Sequence, residues 1–274
     1  MRSSRSAPRR TTIRLASASE LSFIGARARA VGLAIALLIC LASGCGGGAP
    51  LLHPAHVNSP GVVSIGAGAS GQFALRSVGG ETSDSGKLET ATVAPGVAPW
   101  VGGRVGIRGD NEGGLTYTGR AVRVDGRHAF DLGGPALSIG AGASAIFPQR
   151  PGRGDDETRL YGGGVDVPVL FGLRTRSDVY ALWGGLRGGF GVMGGSVISS
   201  AAPEPGEPAP GFVDLDARHF QVGALLGMRA GFRHLHVAIE LDAAYHHVDG
   251  TFGEQSLSID QFTLTPGGAL VLTF

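Results

Sequence analysis

Lysine is almost missing from this chain. Lys87 is the single Lys among 23 basic residues, and the others are Arg. Charged residues make up 16% of the sequence, against about 25% in ordinary globular domains. With a mean hydropathy of +0.16, that scarcity excludes a disordered chain, which needs low hydrophobicity and high net charge. Cysteine is limited to Cys40 and Cys45. The chain beyond them therefore holds no disulfide and no Cys metal site. Aromatics reach only 7%. No Gly-x-Ser-x-Gly elbow, P-loop or Rossmann fingerprint occurs, so nothing marks a nucleophile or a nucleotide site. The apolar run Ala30–Ala42 spans about 20 Å as a helix, short of the ~30 Å hydrocarbon core. Residues 1–44 carry seven Arg and one acid, Glu20; the rest has 16 basic and 21 acidic residues. That balance leaves no electrostatic footprint for nucleic acid.

Glycine, in contrast, is abundant, with 48 residues beside 15 Pro in 274. Each interior Gly costs a helix about 1 kcal/mol relative to Ala. No Gly-X-Y period exists, so collagen is excluded as well. The composition points to strands.

The amino-terminal segment has the layout of an export signal. An Arg-rich stretch precedes the short apolar run, and small residues follow it. The run ends at Leu41-Ala42-Ser43-Gly44-Cys45. This resembles the bacterial lipobox, in which small residues precede a Cys; Ala42 departs from the Leu usual at its position. The resemblance implies that residues 1–44 are a signal peptide and that Cys45 is acylated as the mature first residue. Gly46 follows in place of an Asp, which in that family implies an outer-membrane address. Two or more acyl chains give stable anchoring where one does not. Residues 45–60, Gly- and Pro-rich without periodicity, read as a lipidated tether, with His53 and His56 solvated.

From Gly61 onward the hydrophobic period is two. Val63, Ile65, Ala67, Ala69, Phe73 and Leu75 alternate with small or polar residues. The segments 136–147, 160–174, 217–232, 234–248 and 258–274 repeat the pattern, and 98–108, 114–124 and 178–193 do so more weakly. These runs exceed the 5–6 residues of a soluble strand and suit the roughly 9–11 of a tilted membrane strand. Hydrocarbon tolerates no unpaired strand edge, so such strands must close into a barrel.

At this point residues 61–274 resemble the small outer-membrane β-barrel proteins of bacteria. The resemblance rests on the alternation, the strand length and the ending Ala269-Leu270-Val271-Leu272-Thr273-Phe274. By it, Phe274, Leu272 and Leu270 carry the membrane-insertion signal. The fold class expected is all-β: an antiparallel up-and-down transmembrane β-barrel of 8 to 10 strands. Segment 128–147 reads as one strand and 125–127 as a short turn. A short strand near 88–95 would bring the count to ten and leave the amino terminus periplasmic, beside its anchor. The connections alternate short and long, which places 148–158 and 195–216 outside.

By parity, the inward face carries Arg104, Arg108, Arg120, Asp166, Arg229, His234, His236, Glu240, Asp242 and His246. Buried charges must pair, so these residues are a candidate lumen network that plugs the barrel. A metal needs three or four converging ligands, and His234-x-His236 offers two. The expectation is therefore no metal, no catalytic residue and no cofactor beyond the covalent lipid at Cys45. The partners expected are outer-membrane lipid and the export, lipidation and barrel-insertion machinery, with no nucleic acid. The role expected is structural, adhesive or interactive. Two alternatives stand beside it: a lipid-tethered soluble β-barrel binding an apolar ligand in the periplasm, and a barrel hydrolase acting on envelope lipid.

Overall fold

The computed structural model describes residues 47–75, 83–147, 159–198 and 212–274. Segment 1–44, Cys45 and the connections 148–158 and 199–211 lie outside the described residues. Ten strands form a closed antiparallel barrel: β1 (Val63–Ala74), β2 (Gly96–Ile107), β3 (Asn111–Tyr117), β4 (Ala121–Asp131), β5 (Pro135–Ile146), β6 (Arg159–Arg174), β7 (Tyr180–Ile198), β8 (Phe212–Phe232), β9 (Leu235–Phe252) and β10 (Gln255–Thr273). Each strand pairs with the next, and β1 closes the barrel on β10, with Ala67 between Val101 and Leu270. A helix, α1 (Asp84–Thr92), interrupts the order between β1 and β2.

The apolar set of each strand faces outward. Val167, Leu226 and Leu270 are 50%, 61% and 58% exposed, while Asp166, Arg187 and Glu240 are buried. A water-soluble barrel needs the reverse arrangement, with apolar side chains inside. The soluble-barrel alternative is thereby corrected. On β9 the outward apolar residues run from Leu235 to Tyr245. Ten residue steps, at about 3.4 Å each and a tilt of about 40°, make a band about 26 Å tall, against about 25 Å for membrane barrels. Above that band the outward face turns polar. Tyr245 Oη donates to Asp260 at 2.5 Å, and His247 lies 2.7 Å from Asp260 and 3.1 Å from Asp249.

Three expectations about the strands need correction. Residues 125–127 are mid-strand rather than a turn: Asp125, Gly126 and Arg127 pair with both β3 and β5. The single strand expected over 128–147 is broken at 132–134. There the Asp131 carboxylate accepts from the Gly133 and Gly134 amides at 2.8 and 3.3 Å. Both glycines have positive φ, +84° and +138°, which L side chains rarely adopt. Residues 88–95 do not supply the tenth strand, because they hold the end of α1. Ser83 caps that helix, accepting from the Gly86 amide at 3.1 Å, as an N-cap serine does.

The wall is uneven. β1 to β5 have 7 to 12 residues each, and β6 to β10 have 16 to 21. Helix α1 leans on the inner side of the taller wall. Leu88, Ala91 and Val93 pack there with Met193, Leu215, Val248, Phe252 and Ile259.

The candidate functional site is the barrel lumen

Residues 47–60 run through the lumen. This corrects the solvated tether. Leu51, Leu52, His53 and Ala55 are all buried. The two leucines and Ala55 pack with Trp100, Leu170, Trp183 and Leu225. The barrel grips this strap mainly by its backbone. Glu240 accepts the Leu51 and Leu52 amides at 2.6 and 3.1 Å, and the Trp183 indole N–H at 2.9 Å. The Trp100 indole donates to Pro50 O at 3.1 Å, and Ser70 Oγ to Gly48 O at 2.8 Å. Three donors thus converge on Glu240, which compensates a buried carboxylate that has no cation on it among the described residues.

Seven other charged residues form one continuous chain across five strands. Arg127 donates to Glu112 at 2.7 Å; Glu112 also accepts from Arg104. Arg104 reaches Asp125, which Arg123 also holds. Arg123 grips Asp166 with two nitrogens at 2.8 and 2.9 Å, and Arg187 reaches the same carboxylate at 3.1 Å. Signs alternate, so each carboxylate touches two guanidiniums. The chain starts and ends on Arg, and the strap completes both ends. Arg187 donates to Ala49 O at 2.6 Å; Arg127 donates to Pro54 O and, at 3.1 Å, to His56 O. Bidentate and charge-assisted bonds of this kind are the strong ones.

The ten residues expected in the network are distributed as follows. Arg104 and Asp166 belong to the chain. Glu240 and Asp242 are buried on β9, and Glu240 meets the strap instead of a cation. Asp242 Oδ1 is buried without a hydrogen-bond partner among the described residues. Arg229 is buried and donates to Asp178 at 2.8 Å near the 175–179 turn; His236 lies 3.1 Å from Asp178 O. His246 is buried, with His219 at 2.8 Å on one side and Thr263 Oγ1 at 2.8 Å on the other. Arg120 sits at the opposite end and donates to Ala91 O of α1 at 3.0 Å. Arg108 and His234 are exposed in turns, which corrects their inward assignment; both lie just past a strand end, where parity no longer sets direction.

Sequence reasoning missed Glu112, Arg123, Asp125, Arg127 and Arg187. The signal was present in Arg123-x-Asp125-x-Arg127, three charges at period two, but the turn assigned at 125–127 hid it. His53 was also missed: its Nδ1 lies 2.8 Å from Arg127. His56 bonds Gly134 O at 2.9 Å.

Above the strap, a cavity of about 170 Å³ separates it from α1, with His219, Gln221, Asp242 and His246 in its lining. Thr263, the hydroxyl beside His246, is 1% exposed. No group of three metal-ligating side chains occurs among the described residues. The terminal Leu270, Leu272 and Phe274 are exposed on the outer face.

No family model matches the chain, and no curated protein matches it. Among solved structures the chain is similar to Neisserial surface protein A (NspA), at 12% identity over 78% of this chain and 96% of that one, TM-score 0.31. It is similar to Ail, the attachment invasion locus protein of Yersinia pestis, at 10% identity over 78% and 99%, TM-score 0.29. It is also similar to the translocator domain of the autotransporter NalP from Neisseria meningitidis, at 11% identity over 91% and 97%, TM-score 0.33.

Proposed function

We propose that this protein is an outer-membrane β-barrel, acylated at Cys45, whose closed lumen serves stability and whose external connections serve adhesion or another interaction. The carrying observation is the inversion of the wall: an apolar band outside and paired charge inside. Apolar area of that extent is not left to water in a monomeric soluble protein, and a closed antiparallel sheet is the β form that hydrocarbon accepts. The lumen does not conduct in this reading, because the strap and the charge chain occupy it. The external connections 148–158 and 199–211 then carry the partner-binding role, with no catalytic step.

The test has two parts. Detergent-extracted protein is run on an SDS gel with and without boiling; a heat-dependent shift is expected, and its absence rejects the membrane barrel. In planar bilayers the intact chain is expected to be silent, and steady conductance rejects the closed lumen. Cys45→Ser is expected to abolish incorporation of labelled palmitate without abolishing the heat shift.

A further inference from the structure

We propose that the barrel is threaded by its own chain from the external end, so that the residues just before Gly47 are displayed at the cell surface. The inference rests on the outer-membrane reading above and reverses the periplasmic amino terminus expected from sequence.

The direction of the strap carries it. The Gly47 amide donates to Ala94 O at 2.9 Å, in the connection that also holds α1. Eleven residues later, the Asn58 amide bonds Glu112, and the Gly61 amide bonds Gly106 O, beside the 108–110 turn. His56 meets Gly134 O in the 132–134 turn. The His56 end is the end of the four short turns 108–110, 132–134, 175–179 and 233–234, and of Phe274. The Gly47 end holds two short turns, 118–120 and 253–254, and all three of the long connections, 75–95, 147–158 and 199–211. In membrane barrels short turns face the periplasm and long connections face outward. The chain thus passes from the external rim down to the periplasmic mouth before β1 turns it back.

The grip on the strap fits this role. Carbonyls of Gly48, Ala49 and Pro50 and amides of Leu51 and Leu52 are each held by a lumen side chain. Contacts to the backbone hold an extended chain with little dependence on its side chains, as in strand addition to a sheet edge. Gly47 also sits near where β1 ends and β2 begins, beside Ala98.

The experiment inserts one short epitope at three places in the full chain: between Gly46 and Gly47, within 199–211, and between Gly133 and Gly134. Antibody binding is measured on intact and permeabilised Gram-negative cells. The first two insertions are expected to stain intact cells at least tenfold above the third, which stains after permeabilisation. Threading from outside is overturned if the 46/47 epitope needs permeabilisation while the 199–211 epitope does not. If the 133/134 epitope alone stains intact cells, the barrel orientation itself is wrong, and the proposal falls with it. Should an insertion abolish the heat shift, Gly46→Cys with a membrane-impermeant maleimide replaces it. Labelling of intact cells above the parent chain is expected, and labelling only after permeabilisation overturns the proposal.

Discussion

The two halves of the lumen are filled by opposite means. Near the short turns, the strap is held by ions and hydrogen bonds: Glu240 on two amides, and Arg127 and Arg187 on carbonyls. Near the opposite rim, α1 is held mainly by burial, with Leu88 among Leu215, Val248 and Ile259. Polar ties join that half too, Gln261 Nε2 to Glu89 at 2.7 Å and Arg120 to Ala91 O at 3.0 Å. The difference follows from what each segment offers. The strap is extended and has every backbone group free to bond, whereas a helix has spent its interior groups on itself. A barrel whose inner face is polar can therefore bind an extended segment through side chains, but needs an apolar patch to hold a helix.

The largest effect expected separates the halves. Asp166→Asn removes the charge that Arg123 and Arg187 share. Breaking a buried pair in this way costs about 3–5 kcal/mol. Denaturant unfolding in detergent micelles measures the cost. Amide exchange is expected to accelerate at 47–58 and stay unchanged at 84–92. Equal acceleration in both would mean that the lumen is one cooperative unit. Leu88→Ala asks the converse, at about 3 kcal/mol for the lost side chain and its cavity. Here exchange is expected to rise over 84–92 alone. The two costs are expected to add within about 0.5 kcal/mol, since the sites share no partner.

Glu240→Gln tests the polar grip without changing its shape. One amide oxygen replaces two carboxylate oxygens, so the Leu51 and Leu52 amides and the Trp183 indole compete for it. A cost of about 2 kcal/mol is expected for the donor left unmet. Faster exchange confined to Leu51 and Leu52 would show that the strap loosens locally. Exchange spreading from Gly48 to Asn58 would show that it releases as a whole.

The wall was legible because outside and inside make opposite chemical demands on alternate residues. Val165, Val167 and Val169 against Asp166 need no partner strand to be read. Pairing was less legible. Asp125-Gly126 and Asp131-Leu132-Gly133-Gly134 look equally like turns, and the neighbouring strand decides between them: Gly126 has Gly113 and Ala141 opposite it. The lumen network was half legible for the same reason. Arg104 and Asp166 follow from parity, whereas Arg123 and Arg127 were lost with the misplaced turn. The strap left no signal of its own. Pro50, Pro54 and the glycines before them read as a linker, and its anchors are backbone groups that any sequence possesses. Only the excess of one Arg in the charge chain pointed to missing acceptors, and that excess is countable once the pairing is known.

The smallest effect tests how much α1 depends on its own start. Ser83 Oγ accepts the Gly86 amide, and Thr92 Oγ1 bonds Leu88 O at 2.7 Å at the other end. At nine residues the helix is too short to persist by propensity, so burial must supply most of its stability. Ser83→Ala is then expected to cost about 1 kcal/mol, less than Leu88→Ala. Exchange should rise at residues 84–87 and stay protected at 88–92, where Leu88 and Ala91 are packed. If the whole helix lost protection, the cap rather than the apolar contact would hold the upper half. The contrast with the strap would then be one of degree, since both segments would hang on hydrogen bonds at a few backbone groups.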